Sequence, residues 1–141
     1  MNDSFLRDCL FFTSNRLTRD ITRLAEEQFA TTGLSPSYGY LILLVNGTPG
    51  ITQKELAEKL GLAPSTLTRF VDKLEGKRLV ERKVQGKTVL VYPTDKSLAM
   101  EEPIRQASRR LHDGYEELLG KEASSMLSDA IKNASEQLNK R

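Results

Sequence analysis

At 141 residues, 28% charged and 38% hydrophobic, with a net charge of +2, the chain has the make-up of one ordinary folded domain, which excludes global disorder and two independent domains. No run approaches the roughly 20 apolar residues of a membrane helix. Met1-Asn2-Asp3-Ser4 puts no basic segment ahead of an apolar one, and a lone Cys9 with a lone His112 makes neither an internal disulfide nor an ordinary zinc site. The expectation is a cytoplasmic protein with no membrane partner, no metal and no cofactor.

The first thirty residues read as one long helix. Leu6, Leu10, Leu17, Ile21, Leu24 and Gln28 recur at helical steps, and Phe5, Cys9, Phe12 and Phe29 widen the stripe. Thr31-Thr32-Gly33 ends it. Ser35 as cap and Pro36 in the first turn open a second helix with Tyr38, Leu41, Ile42 and Val45 on its apolar face. Asn46-Gly47-Thr48-Pro49-Gly50 is a break. Thr52-Gln53-Lys54-Glu55 is a capping box, in which threonine accepts from the third helical N–H and glutamate reaches back to the cap N–H. Ile51 and Leu56 can close a hydrophobic staple around it. Leu56, Ala57 and Leu60 face inward on this short helix, and Gly61 ends it.

Pro64 opens the next helix. Leu67, Phe70, Val71 and Leu74 fall at i, i+3, i+4 and i+7, while Ser65, Thr66, Thr68, Arg69, Asp72 and Lys73 take the other side, and Gly76 closes it. The period then changes. Val80, Arg82 and Val84 alternate with Glu81, Lys83 and Gln85, and Thr88-Val89-Leu90-Val91-Tyr92 is rich in β-formers. With a turn at Gln85-Gly86-Lys87 this is a small β-hairpin, ended by Pro93. Thr94-Asp95 caps a fifth helix striped by Ile104, Ala107, Leu111, Tyr115 and Leu118, which Pro103 should kink or restart. Gly120 breaks it. The last helix carries Ala123, Met126, Leu127, Ala130, Ile131, Ala134 and Leu138 on one side, and Asn139-Lys140-Arg141 should fray.

The fold class is therefore mainly α with a small β-hairpin wing. A winged helix-turn-helix core sits at residues 34–93 with the second helix, between N-terminal (1–33) and C-terminal (94–141) dimerisation helices. Two short helices joined at Leu60-Gly61-Leu62 and followed by a basic hairpin are the parts of a DNA reader. Its second helix leads into the major groove with its N-terminal end. Ser65, Thr66, Thr68, Arg69 and Lys73 are the candidate contacts on that helix, with arginine suited to guanine. Arg82, Lys83 and Lys87 are the candidates on the hairpin, facing phosphates or a minor groove. Charge agrees: Ile51 to Lys96 holds ten Lys/Arg against six Asp/Glu, while the remainder holds eleven against thirteen. The bland alternative is a solvated face on a winged helix that binds protein. An enzyme is not expected, since there is no Gly-rich phosphate loop, metal-ligand spacing or paired nucleophile and base. The apolar faces of the terminal helices exceed what a winged core of some forty residues covers, so a homodimer is expected.

The run Thr52-Gln53-Lys54-Glu55-Leu56-Ala57, Leu60-Gly61-Leu62, Ser65-Thr66-Leu67-Thr68-Arg69, Val71-Asp72-Lys73-Leu74-Glu75 and Gly76-Lys77-Arg78-Leu79-Val80-Glu81-Arg82 resembles the multiple-antibiotic-resistance regulator (MarR) family. The order of elements resembles it over nearly the whole chain. The resemblance implies a homodimeric repressor on double-stranded DNA with a pseudo-palindromic operator, released by a small aromatic ligand or an oxidant. Two departures stand out. The family's wing commonly carries Asp-x-Arg near its tip, where this chain has Gln85-Gly86-Lys87, a point charge without the arginine fork. The residue before Pro64, often a serine cap in the family, is Ala63. Cys9-Leu10-Phe11-Phe12 resembles the first helix of the family's hydroperoxide-sensing branch, which implies a redox sensor at Cys9 with Tyr38 or Tyr40 bonding the thiolate; the alternative is a small buried hydrophobe. Arg16, Tyr38, Tyr40 and His112 are candidates for a ligand crevice between the dimer helices and the winged core, and otherwise are core or surface residues.

Overall fold

In a computed structural model that describes residues 2–140, the helices and strands run α1 Ser4–Arg7, α2 Leu10–Phe29, a 3-10 turn Ala30–Thr32, α3 Pro36–Gly47, β1 Ile51–Thr52, α4 Gln53–Leu60, α5 Pro64–Gly76, β2 Val80–Gln85, β3 Thr88–Pro93, α6 Asp95–Ala99, α7 Glu101–Leu119 and α8 Lys121–Asn139. The mainly helical class with a small wing, read from the change of hydrophobic period, is the class observed. The chain divides into two compact units, Gln28–Ser108 and Met1–Glu27 with Arg109–Arg141. The first reaches beyond residues 34–93 at both ends, because Phe29 and Ile104 lie fully buried in its core.

That core is closed. Leu41, Ile42 and Val45 of α3, Leu56 of α4, Leu67, Val71 and Leu74 of α5, Val80 of β2 and Val91 of β3 are all at most 1% exposed. α3 approaches Phe29 so closely that only glycine fits at position 39; a Cβ there would lie 2.7 Å from a Phe29 ring carbon and 3.4 Å from Ile104. Ser35 occupies the cap of α3, yet its side chain makes no cap bond.

The expected hairpin is one part of a three-stranded antiparallel sheet in the order β1-β3-β2. β2 and β3 pair from Val80↔Pro93 to Gln85↔Thr88, leaving Gly86-Lys87 as a two-residue turn. Gly86 has φ 62°, as a type II′ turn asks of its first central residue. β1 pairs Ile51 with Val91 and Thr52 with Leu90, and the Gly50 N–H donates to the Val91 carbonyl at 2.8 Å. Two residues show no alternation of their own, so this strand exists only through β3.

Local signals hold at α4 with one change. The Thr52 hydroxyl oxygen accepts from the Glu55 N–H at 3.0 Å, but the Glu55 carboxylate takes the threonine hydroxyl at 3.1 Å rather than the cap N–H. Ile51 and Leu56 are both buried. At the end of α5 the left-handed residue is Arg78 (φ 61°), not Gly76. The Leu79 N–H donates to the Leu74 carbonyl at 2.9 Å, closing a Schellman-type end around Arg78.

Thr94 and Ser97 form a capping box that starts α6. The helix restarts after Met100, with Pro103 in the first turn of α7, where its missing N–H is no loss. Ser97 is fully buried, and the Asn46 amide donates to its carbonyl at 3.1 Å and to Glu101 at 3.0 Å. Burial alone would raise the Glu101 carboxyl pKa, but the bonds from Asn46 and Arg105 outweigh it and hold the pKa below its ordinary value.

In the second unit the single N-terminal helix expected from the stripe is two. Asp8 takes φ −101° and ψ 10°, the Cys9 N–H falls back on the Leu6 carbonyl at 3.3 Å, and a new helix begins when Thr13 N–H bonds the Cys9 carbonyl at 3.0 Å. Asp and Cys are poor helix formers, and a periodic stripe cannot register that. Gly120, at φ 93°, separates α7 from α8, and the Ser124 hydroxyl bonds its carbonyl at 2.7 Å. Phe5, Leu10, Phe11, Met126 and Leu138 are more than half exposed, and Leu127 and Ile131 are exposed beside them. α8 ends at Asn139 with Lys140 as its cap; Arg141 of the expected fraying tail lies outside the described residues. No helix among the described residues is long and apolar enough to cross a membrane.

Candidate nucleic-acid interface

α4 and α5 meet at Gly61, which takes φ 67° so that the Leu62 N–H can return to the Ala57 carbonyl at 2.9 Å. The reversal sends Leu67, Val71 and Leu74 into the core and turns the opposite face of α5 to solvent. Ala63 caps α5 without a side-chain bond, as its identity predicts. The first-turn N–H groups and the positive helix end are thus left uncapped by any side chain, beside exposed Ser65, which suits a phosphate.

Thr68, Arg69 and Lys73 follow on that exposed face, and Thr66 is half-buried. The Arg69 guanidinium donates to the Thr66 hydroxyl oxygen at 3.3 Å, which turns it toward the leading end of the helix. The Thr68 hydroxyl donates to the Pro64 carbonyl at 3.0 Å and accepts from the Gln53 amide at 3.4 Å.

On the hairpin Lys83 and Lys87 are exposed. The Lys83 ammonium lies 4.9 Å from the centre of the Tyr92 ring, a cation–π contact that holds it against β3. Val84 is 72% exposed, so the outer hairpin carries no core of its own.

Arg82 stands apart from the free cation expected there. Its guanidinium is 2.7 Å from Asp72 and 2.7 Å from Glu75, both on α5, and its backbone N–H donates to Glu75 at 3.1 Å. The side-chain bond from Arg82 holds the Glu75 carboxyl below its ordinary pKa, and Glu75 in turn raises that of Arg82. Its charge is spent on fastening β2 to α5, because strand alternation and helix spacing bring three charges together that are seven and ten residues apart. Sequence periodicity places each residue but not this pairing.

An open groove of about 560 Å³ runs between α4, the start of α5 and the hairpin tip, lined by Gln53, Lys54, Thr68, Lys87 and Val89 among others. Lys54 and Gln53 also line this groove; the capping motif they belong to fixes the local backbone and does not indicate where their side chains lie.

The remaining candidates are described within their own units. Tyr38 packs edge-on against Phe70 with ring centres 4.8 Å apart, and Tyr40 bonds Ser108 through its hydroxyl at 2.9 Å and leans on Phe29. Both belong to Gln28–Ser108, while Arg16 and His112 belong to the other unit, where His112 Nδ1 meets the Tyr115 hydroxyl at 2.6 Å. Cys9 is half-buried between α1 and α2. No cluster able to hold a metal occurs among the described residues.

The model of the MarR family matches residues 35–84. Among solved structures, the transcriptional repressor CouR bound to p-coumaroyl-CoA superposes with a TM-score of 0.84 at 24% identity, covering 96% of this chain and 97% of its own. CouR bound to a 23-mer DNA duplex gives 0.82 at 23%, covering 96% and 98%. The PcaV transcriptional regulator from Streptomyces coelicolor, in complex with its natural ligand, gives 0.79 at 22%, covering 96% and 98%. At these identities the likeness is one of fold. No curated protein sequence matches the chain.

Proposed function

We propose that this chain, whose residues 35–84 match the model of the MarR family, is a sequence-specific DNA-binding transcriptional regulator of that family, a homodimeric repressor released by a small organic effector. The observation that carries this reading is the exposed, uncapped leading end of α5, with Ser65, Thr68, Arg69 and Lys73 on one face and Lys83 and Lys87 on the hairpin beside it. In a winged helix-turn-helix such an end enters the major groove. Arg69 reads a base edge, where a guanidinium fork matches guanine, and Ser65 with the helix terminus anchors a phosphate. Lys83, Lys87 and Lys54 neutralise backbone charge. Arg82 is removed from the contact set and assigned to holding the wing on α5.

The solved relatives support the rest. CouR occurs with a DNA duplex and with p-coumaroyl-CoA, and PcaV with its natural ligand, so the same fold serves both DNA and small molecules. Two copies of the reader place two α5 helices on half-sites about 34–36 Å apart.

Substitution separates the two kinds of contact. Arg69→Ala relaxes base preference at one position by roughly 1–3 kcal/mol, whereas Lys87→Ala weakens all duplexes alike and flattens the salt dependence. If both variants change affinity identically on every duplex, the division between base reading and phosphate anchoring is wrong.

A further inference from the structure

We propose that Gln53 is a positioning residue for Thr68, so that the two helices of the motif present one hydrogen-bonded pair to DNA and hold the Thr68 oxygen as an acceptor. The inference rests on the DNA reading above. Gln53 is the first residue of α4 and Thr68 lies on the exposed face of α5, fifteen positions later. The Thr68 hydroxyl has one hydrogen, and it goes to the Pro64 carbonyl at 3.0 Å. The Gln53 Nε2 approaches the same oxygen at 3.4 Å from the other helix. A hydroxyl that faces a donor on one side and gives its hydrogen to its own helix has only a lone pair left for the groove. Such an oxygen favours a base that offers a donor, the N6 amine of adenine or the N4 amine of cytosine. It disfavours guanine and thymine, which offer acceptors.

The other end of the amide supplies the second observation. Gln53 Oε1 is buried and has no hydrogen-bond partner among the described protein groups. A buried acceptor without a donor lowers stability, and an apolar side chain of similar size would not carry that penalty. With no protein donor for its oxygen, the side-chain hydrogen bond that this glutamine makes within the protein is the one its N–H directs at Thr68. A purely structural role predicts that removing the amide changes stability and nothing else.

The test is base preference, read from a pool of duplexes randomised over about 20 base pairs, two half-sites, and sequenced after selection by the full-length protein. Gln53→Leu, Thr68→Val, the double variant and Thr68→Ser are compared with the wild type. The expected result is that the wild type prefers adenine or cytosine at one half-site position. Gln53→Leu and Thr68→Val each flatten that preference about threefold to tenfold at that same position. The double variant flattens it no further, Thr68→Ser retains it, and the thermal midpoint of Gln53→Leu is equal to or above that of the wild type. Gln53→Glu, which keeps the shape of the side chain but replaces the donor by an acceptor, also loses the preference and serves if the leucine variant does not fold. A wild type with a clear preference that Gln53→Leu and Gln53→Glu leave intact overturns this inference alone. So do effects that add in the double variant or fall at different positions. A wild type with no preference at any position overturns the DNA reading as well.

Discussion

In Gln28–Ser108 only Val84 and Leu98 are exposed among the large hydrophobic side chains described, whereas in the other unit Phe5, Leu10, Phe11, Phe12, Leu118, Leu119, Met126, Leu127, Ile131 and Leu138 all are. Ala25 and Leu111 are the buried hydrophobic residues described in that second unit. The winged unit thus completes a core from its own elements, and the helical unit does not. Apolar faces of that extent on a small protein mark a surface meant to be covered, and a two-fold partner is the commonest cover. The proposed tasks divide the same way: the closed unit presents the reading face, and the open one supplies the pairing of two readers.

The largest effect should come from the open unit. Leu127 and Ile131 lie four residues apart on one face of α8 and are both exposed. Replacing both by glutamate should convert a dimer into a 15.9 kDa monomer in sedimentation. It should also weaken DNA binding about a hundredfold or more, since one half-site no longer helps the other. A dimer mass that survives the double change would place the pairing surface elsewhere. The closed unit should answer differently. Gly39→Ala forces a Cβ into the Phe29 ring at 2.7 Å, and unfolding in urea should show a loss of about 1–3 kcal/mol with the dimer mass unchanged.

Arg82→Ala gives a smaller effect that distinguishes fastening from DNA contact. The pairs with Asp72 and Glu75 are partly exposed, with Arg82 itself 25% exposed, so screening limits the loss to about 1 kcal/mol. Were Arg82 a phosphate anchor instead, stability would stay level and the salt slope would fall by about 0.9. Acid behaviour follows the same pair. Glu75 and Glu101 titrate below their ordinary values when folded, so their contribution is present above the unfolded carboxylate pKa of about 4.3 and is lost as pH falls through the lower folded values. The Arg82→Ala protein should lose the Glu75 share of that acid dependence and keep the Glu101 share, which a urea series from neutral pH down into that range measures.

Much of this was legible from local chemistry. Leu67, Phe70, Val71 and Leu74 mark the inner face of α5 because helical spacing alone fixes which residues share a side, and Gly61 marks the reversal because only a left-handed residue lets Leu62 reach Ala57. What escaped depends on partners distant in the chain. β1 is a strand only because β3 lies beside it, and Arg82 is neutralised only because α5 packs under β2. The N-terminal break at Asp8-Cys9 was hidden by a stripe that continues across it, whereas α5 ends at Gly76 as its sequence indicates, and only the left-handed Arg78 beyond it, set by the Leu79 return bond to Leu74, needed the structure. In the proposed site, residue types pointed to Arg69 and Lys87, while Gln53 needed the packing of α4 on α5 to bring its amide to Thr68.

The central claim is that the winged unit reads DNA as one of a pair, and a fluorescence anisotropy titration at several salt concentrations tests it most directly. Duplexes recovered by selection are compared with a scrambled duplex of equal length. The account predicts affinity that falls linearly with the logarithm of salt, with a slope of about −0.9 for each phosphate neutralised. It also predicts a preference for the selected duplex that persists across the series, with two chains per duplex. Equal binding to both duplexes at every salt concentration, or binding that salt does not weaken, would contradict it.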